Sequence, residues 1–266
     1  MRSEKAVSVP DGVLPIRTQP AECEKHGKFD QKVTVILGRE LKGGCPECLR
    51  AIAIEREESA KAEKAYALRL SLARKLGEAL IPKRFLSRTL DNYQAEHDEQ
   101  RRALKFCRHY VATFDQIREA GRCMVLIGKP GTGKTHLGVA MANELLHKTS
   151  RTAVYRTVGA VLQAIKATFD RKSELSESDI LSSLINPDLL VLDEIGVSKE
   201  QPSDFELTTL FAIINGRYER EAPTVIISNL GAGELGRAMG DRCVDRLREG
   251  GLIVVPFEWE SQRGKE

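Results

Sequence analysis

The pattern of apolar and polar positions changes character near Ile81. Beyond it, short apolar runs alternate with longer amphipathic stretches. Runs at Cys123–Ile127, Ala153–Val158, Leu189–Asp193, Thr224–Ser228 and Leu252–Pro256 predict five strands. Their near-continuous apolar character suits strands buried on both faces. With helical stretches between them, they predict an α/β domain built on a parallel sheet covered by helices. An amphipathic helix is expected from about His97 to Glu119, with Leu104, Cys107, Val111 and Phe114 on its inner face.

Before Ile81 the periodicity is different. Residues 1–20 carry Pro10, Pro15 and Pro20 with little apolar patterning, and are expected to form a disordered leader. Residues 21–80 read as a small module. A strand is expected at Val33–Leu37, followed by a helix from Glu47 to about Gly77, a stretch free of Gly and Pro before Gly77. Ala65, Leu68, Leu72 and Leu76 recur three and four apart and form one apolar stripe. Ile81-Pro82 closes this module, and residues 81–266 form the second domain.

The chain has 266 residues, of which 41% are hydrophobic, enough for a sizeable core. No run approaches the ~20 apolar residues of a membrane helix. The polar start lacks the apolar centre of a secretory signal, so a cytoplasmic protein is expected. The net charge of +3 does not by itself announce a nucleic-acid partner, although the whole excess lies in the first 80 residues. Six cysteines in such a chain argue against a disulfide framework. Cys107, Cys123 and Cys243 lie in apolar stretches and are expected to be core residues. Cys23-x-x-His26 and Cys45-x-x-Cys48 form two short knuckles, the layout of a closed tetrahedral zinc site of three thiolates and one imidazole.

The most specific motif is Gly128-Lys129-Pro130-Gly131-Thr132-Gly133-Lys134-Thr135, a complete P-loop running straight out of an apolar strand. Its glycines let the backbone curl so that amide groups face phosphate oxygens, and the helix that follows adds its N-terminal dipole. Lys134 is expected on the β- and γ-phosphates, and the Thr135 hydroxyl on Mg2+. The run Leu189–Leu192 ends in Asp193-Glu194, which places two carboxylates at the sheet edge where ligands bind. Asp193 would hold the Mg2+ through water, and Glu194 would orient or deprotonate an attacking water. Asn229, after Thr224–Ser228, is positioned either to bond the γ-phosphate or the lytic water, or simply to leave the strand in a turn. Arg242 and Arg246 lie four apart: one face of a helix, either an arginine finger for a neighbouring subunit's ATP or a solvated basic surface.

Taken with Asn143-Glu-Leu-Leu146, Asp188–Gly196 and Phe257-Glu-Trp-Glu-Ser261, these motifs resemble the AAA+ ATPases of the DnaC/IstB branch, over about residues 81–262. The resemblance implies an AAA+ P-loop ATPase core preceded by a zinc-ribbon and helix module, the latter layout resembling phage-encoded helicase loaders. It implies Asn229 as a sensor residue and Arg246, then Arg242, as the arginine finger, with Arg263 a further sensor candidate. It also implies that Phe169, Arg171 and Lys172 belong to an insertion touching single-stranded DNA, although Thr168–Ser178 reads equally as an exposed polar loop. The function implied is ATP-dependent placement of a hexameric replicative helicase on single-stranded DNA, by protomers self-associated in a ring or spiral. Partner contact is expected on the N-terminal module. The alternatives are a transposition helper ATPase of the IstB type and a non-catalytic ATP-binding adaptor.

Overall fold

The computed structural model describes residues 17–36, 39–170, 172–197 and 201–263. Pro10 and Pro15 of the expected leader, Leu37 and Arg171 lie outside the described residues, as do the side chains of Ala65, Leu68 and Leu76. Two compact units are present, one ending at Leu70 and one starting at Ser71, so the division falls ahead of the composition change near Ile81.

The first unit holds three antiparallel strands in sequence order: β1 (Arg17–Cys23), β2 (Gly27–Ile36) and β3 (Arg39–Lys42). Residues 17–20, expected in a disordered leader, are instead the start of β1, paired with residues 30–33 of β2. Pro20 is compatible with this because β1 is an edge strand, where a missing N–H breaks no second ladder. Helix α1 (Pro46–Glu78) opens on a proline, the residue suited to a first helical position. It is exposed throughout residues 50–64, and Ile54, Tyr66 and Leu70 are large apolar side chains left in solvent.

The second unit alternates strand and helix. Its elements are α2 (Asp98–Ala112), α3 (Phe114–Glu119), β4 (Met124–Gly128), α4 (Lys134–Lys148), β5 (Ala153–Thr157), α5 (Val158–Ala167) and α6 (Glu177–Ile185). They continue with β6 (Leu189–Ile195), α7 (Asp204–Tyr218), β7 (Thr224–Ser228), α8 (Leu235–Met239), α9 (Asp241–Glu249) and β8 (Ile253–Phe257). The five strands are parallel, in the order β5-β6-β7-β4-β8. Successive side chains leave opposite faces of this sheet. Met124, Leu126, Val191 and Val225 pack with Ala103, Cys107, Leu137 and Met141 on one side. Val125, Leu190, Leu192 and Ile226 pack with Ile165, Leu210, Ile213 and Leu247 on the other. Cys107, Cys123 and Cys243 are buried, as core residues should be.

The expected single helix from His97 to Glu119 is two helices. Thr113 turns both its N–H and its hydroxyl to the His109 carbonyl, at 3.0 and 2.8 Å, and closes α2 there. The inner stripe is also displaced: Gln100, Ala103, Cys107 and Tyr110 are the buried positions, while Leu104 and Val111 flank them. Among the described residues no helix is long and apolar enough to cross a membrane.

The end of the sheet where β6 and β7 begin is built around Arg217, which is 1% exposed. Its guanidinium donates to the carbonyls of Leu184, Ile185 and Pro187 at 2.9–3.0 Å, to Pro223 at 2.6 Å, and to the Thr224 hydroxyl at 2.9 Å. Beside it Asp188 accepts from Arg118 at 3.0 Å and from the Thr152 N–H and hydroxyl at 2.9 Å. Burial alone would raise the Asp188 pKa, but these donors hold it below the ordinary value.

Candidate functional site

At the opposite end of the sheet, the loop from β4 to α4 is the P-loop. Gly131 and Gly133 have φ of +77° and +95°, backbone that L side chains rarely adopt. Gly133 is also where the Tyr93 ring comes close: an added Cβ would meet its Cε2 at 2.7 Å. The Lys134 ammonium lies against the loop, donating to the carbonyls of Gly128 at 2.7 Å and Lys129 at 2.6 Å. Burial pulls its pKa down to about 8, partly opposed by Asp193, and Arg263 lowers it further.

Asp193 is 4% exposed and its carboxylate collects three donors. The Thr135 hydroxyl reaches Oδ2 at 2.8 Å, the Tyr155 hydroxyl reaches the same oxygen at 2.9 Å, and the Glu194 N–H reaches Oδ1 at 2.7 Å. Burial and the neighbouring Asp193 push the Tyr155 pKa well up, so its proton stays on the phenol as the donor. Thr135 and Asp193 thus bring hard oxygen donors together, the donor chemistry that Mg2+ requires. Glu194 follows at φ +64°, where the ladder to β7 shifts register between Leu192 and Ile195. The bulge keeps Asp193 buried while turning Glu194 out into the cleft.

The cleft, about 780 Å3, is lined by Pro130–Thr135, Asp193, Glu194 and Asn229, and also by Arg84, Arg88, Tyr93 and Arg263. The candidate sensor Asn229 and the further candidate Arg263 therefore share the cleft with the P-loop. Arg242 and Arg246 do not line it. Both sit on α9, where Arg242 is exposed and Arg246 lies over the Tyr218 ring at 4.4 Å with Glu249 at 3.3 Å. Phe169 is exposed and meets Phe205 edge-on at 6.2 Å, and Lys172 is exposed beside it in sequence.

In the first unit the four knuckle residues converge. Cys23 and His26 flank the β1–β2 turn, and Cys45 and Cys48 flank the start of α1. Their ligand atoms all lie within 4.8 Å of one another. His26 Nδ1 is 3.7 Å from Cys23 Sγ, 3.7 Å from Cys45 Sγ and 3.3 Å from Cys48 Sγ, and the Cys23 and Cys48 sulfurs are 3.6 Å apart. A tetrahedron with metal–sulfur bonds of about 2.3 Å has edges of about 3.8 Å, so the donor set fits zinc. Backbone N–H donors, first at Lys25, and then the His26 side chain lower the Cys23 thiol to about 6.

Residues 52–263 match the family described as IstB-like ATP binding protein. The chain belongs to that family. It is 35% identical, over 217 residues and 82% of each chain, to the replicative helicase loader DnaC of Escherichia coli strain K12. The crystal structure of a DnaC helicase loader superposes with a TM-score of 0.57 at 27% identity, covering 65% of this chain and 99% of that one. The AMPPCP-bound DnaA of Aquifex aeolicus shares the fold, with a TM-score of 0.53 at 21% identity, over 66% of this chain and 51% of that one. The fold is that of the AAA+ ATPases, and ATP binding is the property common to the family.

Several site residues carry no sequence signal strong enough to assign them. Asn143 is quoted above only as part of a motif. In the structure it is 3% exposed on α4 and donates to the carbonyls of Phe85, Leu86 and Arg88 at 3.2, 3.3 and 2.8 Å. It thereby fixes the segment that presents Arg84 and Arg88 to the cleft. A polar side chain within an apolar helical run was the available hint. Tyr155 and Tyr93 offered none, because their partners are 38 and 39 residues away.

Proposed function

We propose that this protein is an ATP-dependent loader that binds a hexameric replicative DNA helicase and helps place it on single-stranded DNA. The observation that carries this reading is the 35% identity to a replicative helicase loader over 82% of both chains. The cleft geometry supports a hydrolytic role. Lys134 and the loop amides would hold the phosphates, Thr135 and Asp193 would hold Mg2+, and Glu194 would orient or deprotonate the attacking water, with Asn229 beside it. The metal would supply charge neutralisation at the β- and γ-phosphates.

Arg242 and Arg246 lie outside their own protomer's cleft, which supports their donation to a neighbouring copy in a ring or spiral. Cys23, His26, Cys45 and Cys48 would hold a structural zinc that ties the β1–β2 turn to the start of α1. The exposed apolar residues of α1 suit it to helicase contact, and Phe169 with Lys172 suits contact with single-stranded DNA. Hydrolysis coupled to partner remodelling would reset the complex.

The family description favours one second reading, an IstB-type transposition helper. Capture separates the two. The full chain with ATP should retain the replicative helicase and transfer it to circular single-stranded DNA, read as helicase-dependent unwinding. Retention of a transposase–DNA complex with no helicase bound would refute the loader reading.

A further inference from the structure

The segment after β8 runs back across the P-loop. Phe257 accepts from the Lys129 N–H at 3.0 Å, the Trp259 indole N–H donates to the Thr132 carbonyl at 3.0 Å, and the Gln262 N–H donates to the Gly131 carbonyl at 2.9 Å. Ser261 approaches so closely at Gly131 that a Cβ there would collide with its Oγ. The Lys129 ammonium adds an ion pair to Glu260 at 2.8 Å. Trp259 is itself supported by Phe257, whose ring is buried and 4.7 Å away.

These contacts bear on phosphate binding through peptide geometry. No peptide bond among the described residues is cis, so each carbonyl points opposite to the N–H of the same peptide unit. The Gly131 carbonyl shares its unit with the Thr132 N–H, and the Thr132 carbonyl shares its unit with the Gly133 N–H. Pinning both carbonyls from outside therefore turns both N–H groups away from the 259–262 segment. Thr132 and Gly133 line the cleft. The other donor to the Thr132 carbonyl, the Tyr93 hydroxyl, is at 3.4 Å, so the indole makes the shorter bond.

We propose that Trp259 is a positioning residue for nucleotide binding, its indole N–H fixing the peptide that carries the Gly133 N–H so that the loop is preorganised for polyphosphate. Gln262 does the same through its main chain for the Thr132 N–H. This deepens the nucleotide-site reading and rests on it. Aligning the loop before binding removes an ordering cost that the ligand would otherwise meet.

The test uses the full chain and its Trp259→Phe variant, which keeps an aromatic ring on Phe257 and removes the donor. Calorimetric titration with MgATP and with inorganic tripolyphosphate should show roughly tenfold weaker binding of both, about what one hydrogen bond is worth. Adenosine affinity should stay within about twofold of the parent. Equal polyphosphate affinity in variant and parent would overturn the proposal, as would an equal loss for adenosine. Failure of the parent to bind MgATP would overturn the nucleotide-site reading and this inference with it.

Discussion

The two ends of the central sheet each bury a cation near a carboxylate, yet they are built in opposite ways. Around Arg217 and Asp188 the guanidinium and the carboxylate are engaged by fixed partners, five of them acceptors within 3.0 Å of Arg217. The backbone there also leaves ordinary geometry at one side chain, Glu221 at φ +52° in the α7–β7 connection. At the other end Lys134 and Asp193 sit among left-handed glycines, a bulged strand and a glutamate at φ +64°. Lys134 is held by loop carbonyls and, at 3.5 Å, by the Thr132 hydroxyl, and Glu194 faces open cleft. Charge satisfied by fixed partners makes a structural clamp, whereas charge turned outward from a glycine-rich loop and a bulged strand makes a binding and reaction site.

That contrast is broken most severely at Arg217. Arg217→Met would leave four carbonyls at this end of the core without their donor, and should cost about 3–5 kcal/mol of stability. Denaturant unfolding would read the loss, and the fraction that remains folded should turn over ATP at the parent rate. A selective loss of turnover with stability intact would erase the distinction between the two ends.

Next in size is the pH response of Lys134. Its pKa is depressed to about 8 without a nucleotide, and bound phosphates would raise it. Above about pH 8 the free protein loses a proton that the complex keeps, so MgATP affinity should fall with rising pH, by up to about tenfold per unit. The same depressed pKa acts on folding with the opposite sign: the unfolded chain holds the proton up to its own higher pKa, so this group's unfavourable contribution to stability is relieved as pH rises from about 8 toward 10.5. A calorimetric series between pH 7 and 9.5 checks the binding half, and a flat profile would count against Lys134 as the phosphate ligand.

The smallest effect is expected at Tyr155. Tyr155→Phe removes one of the three donors on Asp193 and should weaken the apparent Mg2+ affinity by about threefold to tenfold, with about 1 kcal/mol lost in stability. A magnesium titration of turnover measures it. An unchanged titration would mean that Asp193 does not depend on its phenol partner.

How much of this was legible beforehand differs between the same two ends. The P-loop, Asp193-Glu194 and Asn229 are contiguous or end an apolar run, so local pattern places them on neighbouring parallel strands. The five strands were legible for the same reason, within a residue or two at their ends, because β4 to β7 are buried on both faces and the edge strand β8, exposed at Val254, is still an apolar run. Arg217 was not. Nothing local separates it from a surface arginine at the end of α7, and its acceptors come from the last turn of α6 and from the α6–β6 and α7–β7 connections. Trp259 was visible only as a motif residue, since its bond reaches back 127 positions. The break at Thr113 was missed because the apolar stripe continues through it, and only the doubled bond to His109 ends the helix.

The hydrolytic reading of the cleft is tested most directly by Glu194→Gln, which keeps the shape of the side chain and removes its charge. Single-turnover measurement on the full chain, with MgATP affinity measured in parallel, should show binding within about threefold of the parent and hydrolysis slowed by about 100-fold or more. Hydrolysis at the parent rate with nucleotide fully bound would contradict it.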